Sequence, residues 1–248
     1  MAICALRFGI RSFAAAAGIA ASLLLAGCEV RQASVDPSGR LNVLGSGMDL
    51  ADPRVAAEWS MAGADAADGP TFTPTEIEGV SALRVTSGRQ TGFLHRRTDA
   101  IVAVAPYLSW AWNIEAHGGT EHPVRIVVGF QGGNPQSDSW GRRALGRIGS
   151  DLPPYERMLS IGWDASALRR GHMTSARENP LAPRHYVVRG GMENAGDWRL
   201  ETVDLAQLYQ MAWPDDDLSA IKVVFIGIAV LGGQQPASAS ISGLMLSR

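Results

Sequence analysis

Cysteine is almost missing from this sequence: the 248 residues hold two, Cys4 and Cys28. Lysine is scarcer still, Lys222 being the only one among 22 basic side chains. Those 22 face 24 acidic residues for a formal charge of −2, and a nucleic-acid surface calls for a basic face. Nucleic acid is therefore not an expected partner. No apolar run reaches the roughly 20 residues a membrane-spanning helix needs; the uncharged, apolar-rich stretch 12–27 falls short of it.

Catalytic patterns are missing as well. A nucleophile elbow requires Gly-x-Ser-x-Gly between a strand and a helix, and "LGSGM" at 44–48 fails on spacing. The lone Ser-x-x-Lys, Ser219 to Lys222, opens an apolar strand and lacks the following helix and partner motifs of the serine β-lactamases. Among the five histidines only "EAHGGTEH" gathers ligating types, with Glu115, His117, Glu121 and His122 across a Gly-Gly turn. Such a set can meet a zinc ion, but on a hairpin tip it is more often solvated. The triple aspartate of "WPDDDLS" lacks the spacers and Gly turn of a calcium loop and reads as a linker with Asp217 or a neighbour capping a turn. No metal, cofactor or enzymatic activity is expected.

What the chain does have begins with Arg7 and Arg11 and the uncharged stretch 12–27, the layout of a secretory signal. Its end, "LAGC" at 25–28, resembles the lipobox of bacterial lipoproteins. The resemblance implies cleavage before Cys28 and lipidation of its thiol. Several acyl chains together hold a soluble domain on a membrane, where one anchors only marginally. Residues 1–27 are then the signal peptide, 28–39 a polar tether and 40–248 a single domain. Cys4 would leave with the signal, so no intrachain disulfide is possible. Removal of Arg7 and Arg11 takes the basic side chains from 22 to 20 against 24 acidic, a formal charge of −4. Glu29, in place of the aspartate that retains enteric lipoproteins at the inner membrane, points to an outer-membrane address facing the periplasm.

Beyond residue 39, short runs rich in β-branched and aromatic residues recur between Gly, Pro, Asn and Asp. They predict about ten strands with little helix, hence a sandwich or barrel. "DLAQLYQMAW" is the exception: Leu205, Leu208, Tyr209 and Ala212 share a helical face behind Asp204 as cap. In "YLSWAWNIE", alternation sends Leu108, Trp110, Trp112 and Ile114 to one side, read as the core side, and Asn113 and Glu115 to the other. By the same count Arg125, Gln131, Ser160 and Asp164 fall on polar faces of two further strands. If those strands are neighbours, Asn113, Arg125 and Asp164 form a ligand surface; a solvated sheet face has the same pattern. The long segment 132–157 adds Trp140 beside Arg142 and Arg143. There an aromatic and guanidiniums can stack on a sugar or pair with an anion, or the tryptophan can simply pin the loop.

From Ala82 onward the order "ALRVTSGRQTGFLHRR", "YLSWAWNIEA", "VRIVVGF", "LSIGWD", "NPLAPRHYVVRGG", "GDWRLETVDLAQLYQMAW" and "IKVVFIGIAV" resembles a bacterial envelope family known as domain of unknown function 3047. The resemblance implies an all-β, jelly-roll or galactose-binding-like β-sandwich with one or two short helices. In this chain "AVLGGQQPAS" stands where that family usually carries an acidic loop. Function then divides three ways. The first is a lipid-anchored module binding a glycan or other envelope component through Asn113, Arg125, Trp140, Arg142 and Asp164. The second is a structural or assembly lipoprotein docking a partner protein by a sheet edge or apolar patch. The least favoured is a polysaccharide hydrolase using Asp164 and Glu115.

Overall fold

Trp110 and Trp112 are fully buried, as the alternation around them requires, and with Leu108 and Ile114 they line the inner side of their strand. The structure is a computed structural model and describes residues 32–45, 47–63, 67–133, 152–174 and 183–248. Cys28, Trp140 and Arg142 lie outside those residues.

The described chain forms thirteen strands: β1 (Ala33–Ser34), β2 (Arg40–Leu44), β3 (Trp59–Ala62), β4 (Thr71–Ile77), β5 (Val80–Thr86), β6 (Gly92–Ile101), β7 (Tyr107–Ile114), β8 (Val124–Gln131), β9 (Arg157–Asp164), β10 (Arg184–Gly190), β11 (Trp198–Asp204), β12 (Lys222–Val230) and β13 (Ser238–Ser247). Two helices, α1 (Pro53–Ala56) and α2 (Leu205–Ala212), join them. The second has the face read from sequence: Leu205, Leu208, Tyr209 and Ala212 are buried, and the Asp204 carboxylate accepts from Gln207 N at 3.1 Å.

The strands make two sheets. One runs β1-β6-β12-β8-β9-β10, with β3 also on β6; the other runs β11-β7-β13-β5-β4, with β2 also on β13. Only β1/β6 and β9/β10 pair in parallel. The result is an all-β sandwich with two short helices. Ala33 and Ser34, inside the stretch read as tether, pair with Thr98 and Asp99.

The core fills the gap between the sheets. Trp112 meets Trp110 edge-on at 5.5 Å and reaches across to Trp163 of the opposite sheet at 5.8 Å; such tilted contacts suit the ring quadrupoles. Three of the register shifts have consequences for which side a residue faces. The shift between Val223 and Phe225 keeps Val223, Ile226, Ile228 and Val230 inward while sending Phe225 to the outer face. Near Gly243, whose φ of 64° favours glycine, the shift between Ser242 and Met245 returns Leu244 and Leu246 to the core. The third, between Val187 and Arg189, pairs Arg189 with inward-facing Trp163 and brings it to Glu201 of the other sheet.

Phe225 pairs with Gly129 on β8, where an added Cβ would sit 2.1 Å from its ring. The ring cannot retreat, being fully buried against Phe93 and Tyr155. Gly129→Ala is therefore expected to cost about 1–3 kcal/mol by overpacking, read as a lowered urea midpoint; an unchanged midpoint would show the contact to be soft.

Candidate functional site

The outer face of the seven-stranded sheet is not a plain solvated surface. Phe93 from β6, Val127 from β8, Met158 from β9 and Phe225 from β12 bury each other there with Tyr155, in a cluster separate from the inter-sheet core. Alternation dictates this, because inner Ile126, Val128, Leu159 and Ile161 leave Val127, Met158 and Ser160 on the outside. Phe93, Val127 and Met158 of this cluster floor a cleft of about 200 Å³.

One end of the cleft is polar. Arg125, Ser160 and His185 line it from three adjacent strands, with Arg125 opposite Gly162 by the Ile126–Ile161 pairing and Ser160 opposite His185. His185 Nδ1 lies 3.2 Å from Ser160 Oγ, and its Nε2, in a side chain only 7% exposed, has no hydrogen-bond partner. The Glu121 carboxylate is 3.9 Å from that nitrogen and accepts from the Arg125 guanidinium at 2.5 Å. Gly162 makes the arrangement possible: a Cβ there would stand 2.6 Å from His185 Cε1. Burial, then the Arg125 charge, against a weaker pull from Glu121, lowers the His185 pKa to about 4. At neutral pH the imidazole is uncharged, and Arg125 and Glu121 compensate each other.

A second cavity, of about 360 Å³, opens at the strand ends between the "HGGTE" turn and the "LGGQQPA" loop. Glu121 and Leu231 belong to its wall, with His117 and Gln235. The His117 and His122 rings meet at right angles, 4.7 Å apart. His122 is fully buried, its Nδ1 accepts from Val124 N at 3.2 Å, and burial followed by His117 takes its pKa to about 3. The residues weighed as zinc ligands disperse: Glu115 pairs with Arg84 at 2.6 Å and Glu121 with Arg125. Among the described residues no three ligating side chains gather.

The residues expected to bind ligand are distributed unevenly. Arg125 lines the cleft. Asn113 belongs to the other sheet, where it is buried and donates from Nδ2 to Gly196 O at 2.6 Å, so strand neighbourhood does not bring it to Arg125. Asp164 shares the outer parity of Ser160 but is committed to its own turn, accepting from Ser166 N at 2.7 Å and pairing with Arg169 at 3.4 Å. Asp216 of the triple aspartate holds Arg157 through both carboxylate oxygens and accepts from Tyr209 Oη at 2.7 Å, fastening α2 to β9. Asp217 caps, accepting from Ser219 N at 2.9 Å. The sequence reading missed His185, Phe93, Met158 and Leu231. One signal was available: Gly162 inside an otherwise apolar strand marks a place where something approaches the backbone closely.

The family model described as a protein of unknown function, DUF3047, matches residues 57–235. No curated protein matches the sequence. Among solved structures, the chain is similar to the family 11 carbohydrate-binding module from Clostridium thermocellum in complex with a β-1,3-1,4-mixed-linked tetrasaccharide, at 7% identity over 86% of this chain and 97% of that one, with a TM-score of 0.40. It is also similar to the xyloglucanase domain of NopAA, a type three effector from Sinorhizobium fredii, in complex with cellobiose, at 11% identity over 77% of this chain and 93% of that one, with a TM-score of 0.38.

Proposed function

Because the chain belongs to the DUF3047 family, whose activity is unknown, we propose from its own geometry that it is a non-catalytic, lipid-anchored envelope module that binds a glycan on the outer face of its seven-stranded sheet. The anchor is Cys28 behind its lipobox-like "LAG", and the address is the periplasmic side of the outer membrane, on the reading of Glu29.

One observation carries the binding reading. The cleft joins an apolar floor to the unpartnered Nε2 of His185 and the Arg125–Glu121 pair, and a saccharide presents both surfaces, apolar C–H faces and hydroxyls. Pockets that bind small molecules combine an apolar lining with a few placed polar groups. The hydrolase alternative loses support because Asp164 and Glu115 are each engaged in separate ion pairs. Docking of a partner protein is the second reading, favoured by Leu200, 74% exposed on edge strand β11.

A screen of the purified protein against immobilised envelope glycans tests the proposal. A saccharide hit should weaken by at least about tenfold in Arg125→Met, the effect of losing a charged hydrogen-bonding group. The Cys28→Ala chain should move from membrane to soluble fraction and keep the hit. A co-purified protein with no saccharide hit would favour docking instead.

A further inference from the structure

We infer that the sheet cleft and the loop cavity are successive subsites of one groove, whose ligand is an uncharged linear oligosaccharide covering at least two sugar rings. The inference rests on the glycan reading and specifies its ligand.

Three observations join the cavities. Leu231, 37% exposed, walls both. Glu121 walls the loop cavity, Arg125 walls the sheet cleft, and the 2.5 Å ion pair between them stands at the junction. Size points the same way. The cleft, at about 200 Å³, falls below the lower bound of roughly 300 Å³ for ordinary ligand pockets. The loop cavity, at about 360 Å³, barely exceeds it. Together the two lie well inside the usual range.

The charge of the groove defines the ligand. Arg125 and Glu121 neutralise each other and His185 adds no charge at neutral pH. A carboxylate ligand would meet Glu121 and an ammonium ligand Arg125, each at a cost in repulsion. Hydroxyls, which both donate and accept, suit the two ends of the ion pair, Ser160 Oγ and the His185 Nε2. Phe93, Val127 and Met158 offer C–H faces the apolar wall of the first subsite.

Gly233 separates the subsites experimentally. A Cβ there would meet nothing closer than Gln235 O at 3.6 Å, an ordinary contact, so Gly233→Trp fills the loop cavity without forcing the backbone. Gly119→Trp approaches the cavity from the opposite turn, its Cβ 3.4 Å from Glu121 O. Calorimetric titration of the full chain would use glucose, α- and β-1,4-linked gluco-oligosaccharides of two to four units, and oligogalacturonates of equal length. The expected result is an affinity gain of about tenfold or more between one unit and the longer neutral chains, no such gain for the uronates, and loss of the gain in either tryptophan variant with the one-unit affinity retained. A length-independent affinity, a preference for uronates, or a gain surviving both variants would overturn the two-subsite inference and leave glycan binding standing. No binding by any member of the ladder, with no hit in the envelope-glycan screen, would remove both.

Discussion

Replacing Glu201 with leucine is expected to destabilise the fold by about 3–5 kcal/mol, the cost of removing one partner from a buried ion pair. Glu201 is 3% exposed on β11, the edge of the six-stranded sheet, and points inward with Val203. Its carboxylate takes both Arg189 contacts, one through Nε and one from NH2 at 3.3 Å, and lies 3.4 Å from Trp112 Nε1. Arg189 comes from β10, the edge of the other sheet, aimed there by its bulge. The pair thus closes one side of the sandwich, where Asn113 also secures the β10–β11 connection through Gly196. Loss of the carboxylate strands an indole N–H away from water and leaves the partly buried Arg189 guanidinium without its partner. Glu201→Gln, which keeps an acceptor but no charge, should fall between wild type and leucine. Arg189→Met combined with Glu201→Leu should recover much of the loss, because apolar residues of similar volume often replace a buried pair without penalty. Urea midpoints for the three variants decide it; a Glu201→Leu chain within 1 kcal/mol (about 5-fold in equilibrium constant) of wild type would show the pair to be solvated.

Alternation was enough to place the core of β7, β8 and β9, because which side a residue faces within one strand is a local property. The helix over Leu205–Ala212 was legible for the same reason, its cap and apolar stripe lying within one short segment. Neighbourhood is non-local. Nothing in "YLSWAWNIE" says that β7 pairs with β11 and β13 while β8 and β9 lie in the other sheet, so Asn113 and Arg125 read as one surface until the pairing is known. Bulges hide for a related reason. "IKVVFIGIAV" carries no mark of its bulge, and only the shift beside Phe225 shows that this ring joins the outer cluster. His185 carried no signal of its own; its role follows from Gly162, two strands' register and the charge of Arg125, which no single stretch of sequence contains.

Acidification is expected to destabilise this protein progressively from about pH 6.5 downward. In the unfolded chain His122 and His185 take up a proton near the ordinary histidine value of 6.5, whereas in the fold they resist it until about 3 and about 4. Between those limits the unfolded state binds more protons, so stability falls as pH falls. The contribution is fully present above pH 6.5 and is progressively lost on the way to pH 4. Each tenfold loss of proton affinity on folding is worth about 1.4 kcal/mol, so the two buried imidazoles together remove roughly 3–5 kcal/mol by pH 4.5, a large share of a typical domain's stability. Partly buried His117, also lowered by burial, adds in the same direction. Asp216 acts in the same direction but later: against the effect of burial, its hydrogen bonds with Arg157 and Tyr209 hold it below the ordinary value of 3.8, so its contribution is lost only at more acid pH. Denaturation midpoints at pH 7.5, 6, 5 and 4.5 should therefore fall steadily from the first step below 6.5. His122→Phe, which removes the histidine that resists protonation most, should lose some stability at pH 7.5 through the orphaned Val124 N–H while flattening the pH dependence by about half. An acid slope unchanged in His122→Phe would show that this imidazole reaches water in the folded state.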